Sequence, residues 1–149
     1  MRNCKTSAKL ACALLVFATS VALKPQQALA EKACSNKSLS GAYVAVGSGY
    51  VNNTEPYALN VLATYDGKGS FSGTVLVRSI AGNVTTNVPT QGTYQVNSDC
   101  SFTQTGTRSD GTTANYSGAI FDDGNKFALT QTDPGIIDNV KGERVRHSQ

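Results

Sequence analysis

Tyr57-Ala58-Leu59-Asn60-Val61-Leu62-Ala63-Thr64-Tyr65-Asp66-Gly67-Lys68-Gly69-Ser70-Phe71-Ser72-Gly73-Thr74-Val75-Leu76-Val77 decides the fold class of this chain. Tyr57, Leu59, Val61, Ala63 and Tyr65 recur every second residue, the period at which a strand shows one face. Asp66-Gly67-Lys68-Gly69 follows, and an Asp-Gly pair between two alternating apolar runs is a hairpin signal because glycine accepts positive φ without steric cost. The returning run aligns Phe71, Val75 and Val77. The stretch reads as an antiparallel hairpin.

The same pattern extends in both directions. Ser40-Gly41 opens a strand over residues 42–46. Gly47-Ser48-Gly49 then reads as a bulge or loop, since it lacks the lysine and the strand-to-helix context of a phosphate-binding loop. Beyond the hairpin, residues 92–96 form a strand that turns through Asn97-Ser98-Asp99 into residues 100–105. Ser109-Asp110-Gly111 turns into residues 114–121, Asp122-Asp123-Gly124-Asn125 into residues 126–132, and Asp133-Pro134-Gly135 into a last strand around residues 136–145. No long stretch carries helical periodicity. About eight short strands joined by tight turns predict an all-β, antiparallel up-and-down barrel, with a β-sandwich as the alternative. The Asp-rich turns and the Ser, Thr, Asn and Gln at outward positions do not suit the apolar outer band of a transmembrane barrel.

Residues 1–30 read differently. Arg2, Lys5 and Lys9 precede an apolar run over residues 10–23, and Ala28-Leu29-Ala30 forms a small-residue cleavage site before Glu31. The run is shorter than the roughly 20 apolar residues that span a bilayer. The expectation is a signal peptide over residues 1–30, a single domain over residues 31–149, and a periplasmic or secreted product that is not an integral membrane protein. The sequences before Cys12 and Cys34 do not fit lipoprotein processing.

Removal of that leader reverses the charge. The chain has 13 Lys+Arg and 10 Asp+Glu. Arg2, Lys5, Lys9 and Lys24 leave with the leader, so nine basic residues face ten acidic ones. The basic character therefore gives no ground for a nucleic-acid partner. Cys4 and Cys12 leave as well. Cys34 and Cys100 remain, in an oxidising compartment, and predict one disulfide. A redox pair would favour Cys-x-x-Cys proximity, which is absent.

Chemistry-bearing residues are few. His147 is the only histidine and lies in the terminal tail, which argues against histidine triads and histidine-rich metal sites. Glu55, in the polar stretch Asn52-Asn53-Thr54-Glu55-Pro56, is the one candidate acid or base if desolvated. Asp122, Asp123 and Asn125 offer oxygens to a cation, but match no EF-hand spacing and suit a hairpin turn. Lys141, Arg144 and Arg146 form a basic end, read as a charged edge that discourages strand addition. Asn36, Asn52, Asn83 and Asn115 stand in Asn-x-Ser/Thr sequons, relevant only in a host that glycosylates them. Tyr43, Tyr57, Tyr65, Tyr94 and Tyr116 are candidates to line a ligand cavity, or else to fill the barrel; Tyr50 belongs to the same set. No cofactor is implied.

Cys34, Leu39-Ser40-Gly41-Ala42-Tyr43, the segment from Tyr65 to Thr74, and Gly92-Thr93-Tyr94-Gln95-Val96-Asn97-Ser98-Asp99-Cys100 together resemble a group of small exported bacterial proteins of uncharacterised role. Such proteins are similar in outline to barrels of the allene oxide cyclase type. The resemblance implies a closed barrel and export. It implies no activity, because no catalytic residue of that enzyme maps onto this chain. The functional expectation is an exported non-enzymatic module that binds a small apolar ligand or an envelope partner. The alternatives are a barrel-type isomerase or cyclase, and a structural surface or matrix protein.

Overall fold

The computed structural model describes residues 33–146; the expected leader and His147 lie outside them. Eight strands follow a 3-10 turn at Asn36–Ser38: β1 Ser40–Val51, β2 Glu55–Asp66, β3 Ser70–Ile80, β4 Asn83–Val96, β5 Ser101–Arg108, β6 Thr113–Phe121, β7 Lys126–Gln131 and β8 Ile136–Arg144. Each strand pairs antiparallel with the next, and β8 pairs with β1 to close the barrel. Eight strands leave an interior just wide enough for side chains to fill.

The hairpin that opened the sequence reading forms, with Tyr65 opposite Phe71. Asp66 holds the turn: its Oδ1 accepts the N–H groups of Lys68, Gly69 and Ser70 at 2.7, 3.0 and 2.9 Å. Those bonds, the one from Ser70 foremost, hold its carboxyl below the ordinary range.

Three local readings change. Val77 does not share the inner face with Phe71 and Val75. The register shifts between Asn60 and Val61, leaving Leu76 unpaired, and turns Val77 out to solvent. Gly47-Ser48-Gly49 is neither bulge nor loop but continuous strand, paired on both sides. The basic end is not a sheet edge, because β8 is closed against β1 and β7. Arg144 instead caps the barrel, its guanidinium carbon 5.1 Å from the Tyr43 ring centre.

The two ends of the barrel differ. The β2–β3, β4–β5 and β6–β7 hairpins gather at one end, and the segment before β1 closes it. Leu39 is completely buried there. Asn36 ties the segment to the wall, its Oδ1 accepting the Val96 N–H at 2.8 Å. Tyr94 donates its hydroxyl to the Leu39 carbonyl at 2.9 Å, and Tyr43 donates to the Gly124 carbonyl. Cys34 and Cys100 form the disulfide at this capped end. The β1–β2, β3–β4, β5–β6 and β7–β8 connections form the other, distal end.

Candidate functional site

The candidate tyrosines divide between the two ends. Tyr43, Tyr65 and Tyr94 sit in the capped half as an interlocked set. Tyr65 lies 5.4 Å from Tyr43 and 5.2 Å from Tyr94, centre to centre and nearly perpendicular, and 5.5 Å from Phe71. Edge-to-face rings at such spacings fill volume and attract one another. Tyr65 also donates to Gln104 Oε1 at 2.6 Å, and burial pushes its phenol far above the ordinary value. The interior void is about 50 Å³, bordered by the rings of Tyr43, Tyr65 and Phe127, by apolar Leu59 and Val75, and by polar Gln104 and Arg108. That holds a few waters or a small group; drug-sized ligands occupy pockets of roughly 300 Å³ or more.

Tyr57 and Tyr116 belong to the distal half, where strand pairing assembles a polar band. Gln104 pairs with Tyr116, and Tyr116 with Gln131. Asp138 Oδ1 accepts the Gln131 N–H at 2.7 Å. Gly49 pairs with Asp138 on one side and Tyr57 on the other. A Cβ at Gly49 would stand 1.8 Å from the Ile137 carbonyl oxygen, so only glycine permits this close approach of β1 and β8.

Two polar atoms of this band are buried without a well-formed hydrogen bond among the described residues: the Tyr57 hydroxyl, which lies beside that of Tyr116, and Asp138 Oδ2. Asp138 is 1% exposed. Burial, chiefly, with a repulsive contribution from Asp133, raises its pKa against the opposing Gln131 bond. Burial also raises Tyr57 and Tyr116. Asp133 goes the other way. Burial opposes its charge, but bonds from Asn115 N, Asn115 Nδ2 and Gln131 Nε2 at 2.8, 2.7 and 2.7 Å hold its carboxyl low.

The remaining candidates are placed as follows. Glu55 opens β2 at the distal end, on the same strand phase as Tyr57 and half-buried. Asp122, Asp123 and Asn125 form the β6–β7 turn at the capped end. Asp122 and Asp123 have positive φ, Asn125 Nδ2 donates to the Asp122 carbonyl at 2.8 Å, and Lys126 lies 3.7 Å from the Asp122 carboxylate. Among the described residues, no three His, Cys, Asp or Glu side chains converge as a metal site. Asp138, Gln131, Arg78 and Arg108 were not singled out from sequence. Their signal was a polar residue in phase with apolar ones: Asp138 with Val140, and Arg108 with Phe102.

Asp138 has a testable consequence. Its raised pKa means that the folded state holds this proton more tightly than the unfolded state does. Its effect on stability therefore becomes unfavourable as pH rises from about the ordinary value of 3.8 through the raised one. Asp138→Asn keeps an oxygen for the Gln131 N–H and cannot ionise. Urea titrations across pH should show the variant gaining on the wild type as pH rises, and matching or exceeding it at pH 7. A variant less stable by a constant amount at every pH would sink this account.

Comparison with known protein families, with curated proteins and with solved structures finds no match to this chain.

Proposed function

We propose that this chain is an exported, non-enzymatic binding barrel that engages a small ligand or an envelope component at its distal end. The observation that carries the reading is the asymmetry of the interior. The capped half is filled by interlocked rings and closed by a disulfide-tied segment. The distal half presents a buried hydroxyl and a buried carboxyl oxygen without hydrogen bonds among the described residues, whereas at the capped end the one such atom, Arg144 Nε, belongs to a guanidinium whose Nη2 is bound to the Gly124 carbonyl. Buried polar groups are ordinarily satisfied, so unmatched ones facing an interior mark a place for a partner. Export rests on the leader pattern of residues 1–30, with which a disulfide accords. The small void favours a ligand group held at the mouth over an apolar molecule enclosed in the barrel.

The test is an NMR titration of the disulfide-bonded protein with lipid extracts, soluble metabolite pools and envelope fractions. Shifts should concentrate at Tyr57, Tyr116, Gln131 and Asp138. Shifts confined to the capped end, or none with any fraction, would refute the reading. Glu55 stands at the same end, and this supports the barrel-type isomerase as a second reading; turnover that survives Glu55→Gln unchanged would remove its base.

A further inference from the structure

We propose that the distal end is an oxyanion site, in which Arg108, Arg78 and the Tyr57 hydroxyl receive the carboxylate or phosphate of a small organic acid. This rests on the distal-end binding reading and names its ligand class. Arg78 and Arg108 come from inward phases of β3 and β5: Arg78 pairs with buried Leu59, and Arg108 pairs with Thr90 and lines the void. The Arg108 guanidinium makes no ion pair or hydrogen bond with any described residue. Arg78 has one ion pair, to Asp110 at 3.9 Å, and the side chains are 18% and 40% exposed respectively.

Asp110 and Asp133 lie in the field of Arg108, but neither makes an ion pair with its guanidinium within 4 Å. Asp133 already accepts three bonds from Asn115 and Gln131. Asp110 sits at the rim, its Oδ1 bound to the Thr112 N–H. Asp138 is buried, with its Oδ1 on the Gln131 N–H and its Oδ2 without a hydrogen bond among the described residues. Tyr57 links the groups. Its buried hydroxyl lies in the fields of Arg108, Asp138 and Arg78, in that order of strength. A guanidinium brings planar, fork-like donors, and the phenol brings one more. Two arginines and a phenol at one end suit an acceptor-only group, and arginine binds carboxylate and phosphate in paired bonds. The void below, apolar on one side, admits a short alkyl body and no more.

The experiment is a titration of the disulfide-bonded protein, followed at the Arg108 and Arg78 Nε–Hε resonances. The probes are inorganic phosphate, acetate, butanoate and, as a control of sign, butylamine. Saturable shifts with phosphate or with the carboxylates are expected, and none with butylamine. Butanoate tighter than acetate identifies a carboxylate with an apolar tail; phosphate tightest identifies a phosphorylated ligand. Arg108→Gln should weaken binding about ten- to a hundredfold, the scale of a lost hydrogen bond to a charged group, and Tyr57→Phe by less. Arg78→Gln serves if the first variant does not fold. No saturable shift with any anion, or unchanged affinity in the arginine variants, overturns the site. A neutral compound or envelope component that shifts the distal resonances while the anions do not would overturn the oxyanion assignment and leave the binding reading standing.

Discussion

Replacing Cys34 and Cys100 together by alanine is expected to lower the unfolding free energy by about 4 kcal/mol. The bridge closes a loop with a sequence separation of 66. Its absence returns to the unfolded chain the conformational freedom that the cross-link removes, about 4 kcal/mol for a loop of this length in the chain-entropy model. Domains of this kind are stable by only about 5–15 kcal/mol, so much of the margin is at stake. The loss should also have a local part. Cys34 donates its N–H to the Ser98 carbonyl at 3.2 Å, and Asn36 reaches both Val96 and Lys68. Without the bridge the segment is held by these bonds, the Tyr94 hydroxyl on the Leu39 carbonyl and the burial of Leu39. Urea unfolding gives the global term, and hydrogen exchange at Leu39 and Val96 the local one. A loss below about 1 kcal/mol would mean that the chain-entropy account fails here. Cys100 also has a left-handed backbone, φ 68°. Cys34→Ala/Cys100→Gly should therefore recover about 1 kcal/mol relative to the double alanine variant, because glycine adopts that conformation without penalty.

The hairpin around Asp66 was legible because every local signal agreed: alternation, turn chemistry and returning alternation. The closed barrel followed from repetition of that unit. The first part of β4 was not legible. The sequence reading began this strand only at residue 92, yet pairing with β3 holds Thr85, Thr86 and Pro89 in it as well. A neighbouring strand supplies what the local sequence lacks. Val77 was misplaced for a related reason: a bulge changes phase, and a fixed two-residue period cannot register it. Tyr43, Tyr57, Tyr65, Tyr94 and Tyr116 are buried as expected, but Tyr50 is exposed, and the sequence did not show the division that gives Tyr43, Tyr65 and Tyr94 to packing and Tyr57 and Tyr116 to the distal band. That division depends on which strand ends meet, a property of closure. Arg78 lies past the bulge, so its inward phase was hidden for the same reason as the outward phase of Val77.

Phe127→Ala should destabilise the barrel by about 3–5 kcal/mol, the range for deleting a buried phenylalanine ring. Phe127 is 2% exposed, and its ring centre lies 5.7 Å from Tyr43, 5.8 Å from Phe102 and 6.1 Å from Tyr65. It therefore joins the rings of the capped half across the interior. Its position depends on Gly142, the paired residue on β8. A Cβ at Gly142 would stand 2.1 Å from Phe127 Cζ, so the ring occupies the space that any other residue at 142 would need. Gly142→Ala alone should cost about 1–3 kcal/mol by overpacking. The two positions share one volume, and their effects should not add. With alanine at both, the methyl group meets no ring, and the overpacking cost should disappear from the sum. A double-mutant cycle in urea should give a coupling of about 1 kcal/mol or more, in the direction of relief. The milder pair Phe127→Leu/Gly142→Ala should be more stable than Gly142→Ala by itself. Strict additivity would show that the ring does not depend on the missing side chain, and the packing of the capped half would then need another explanation.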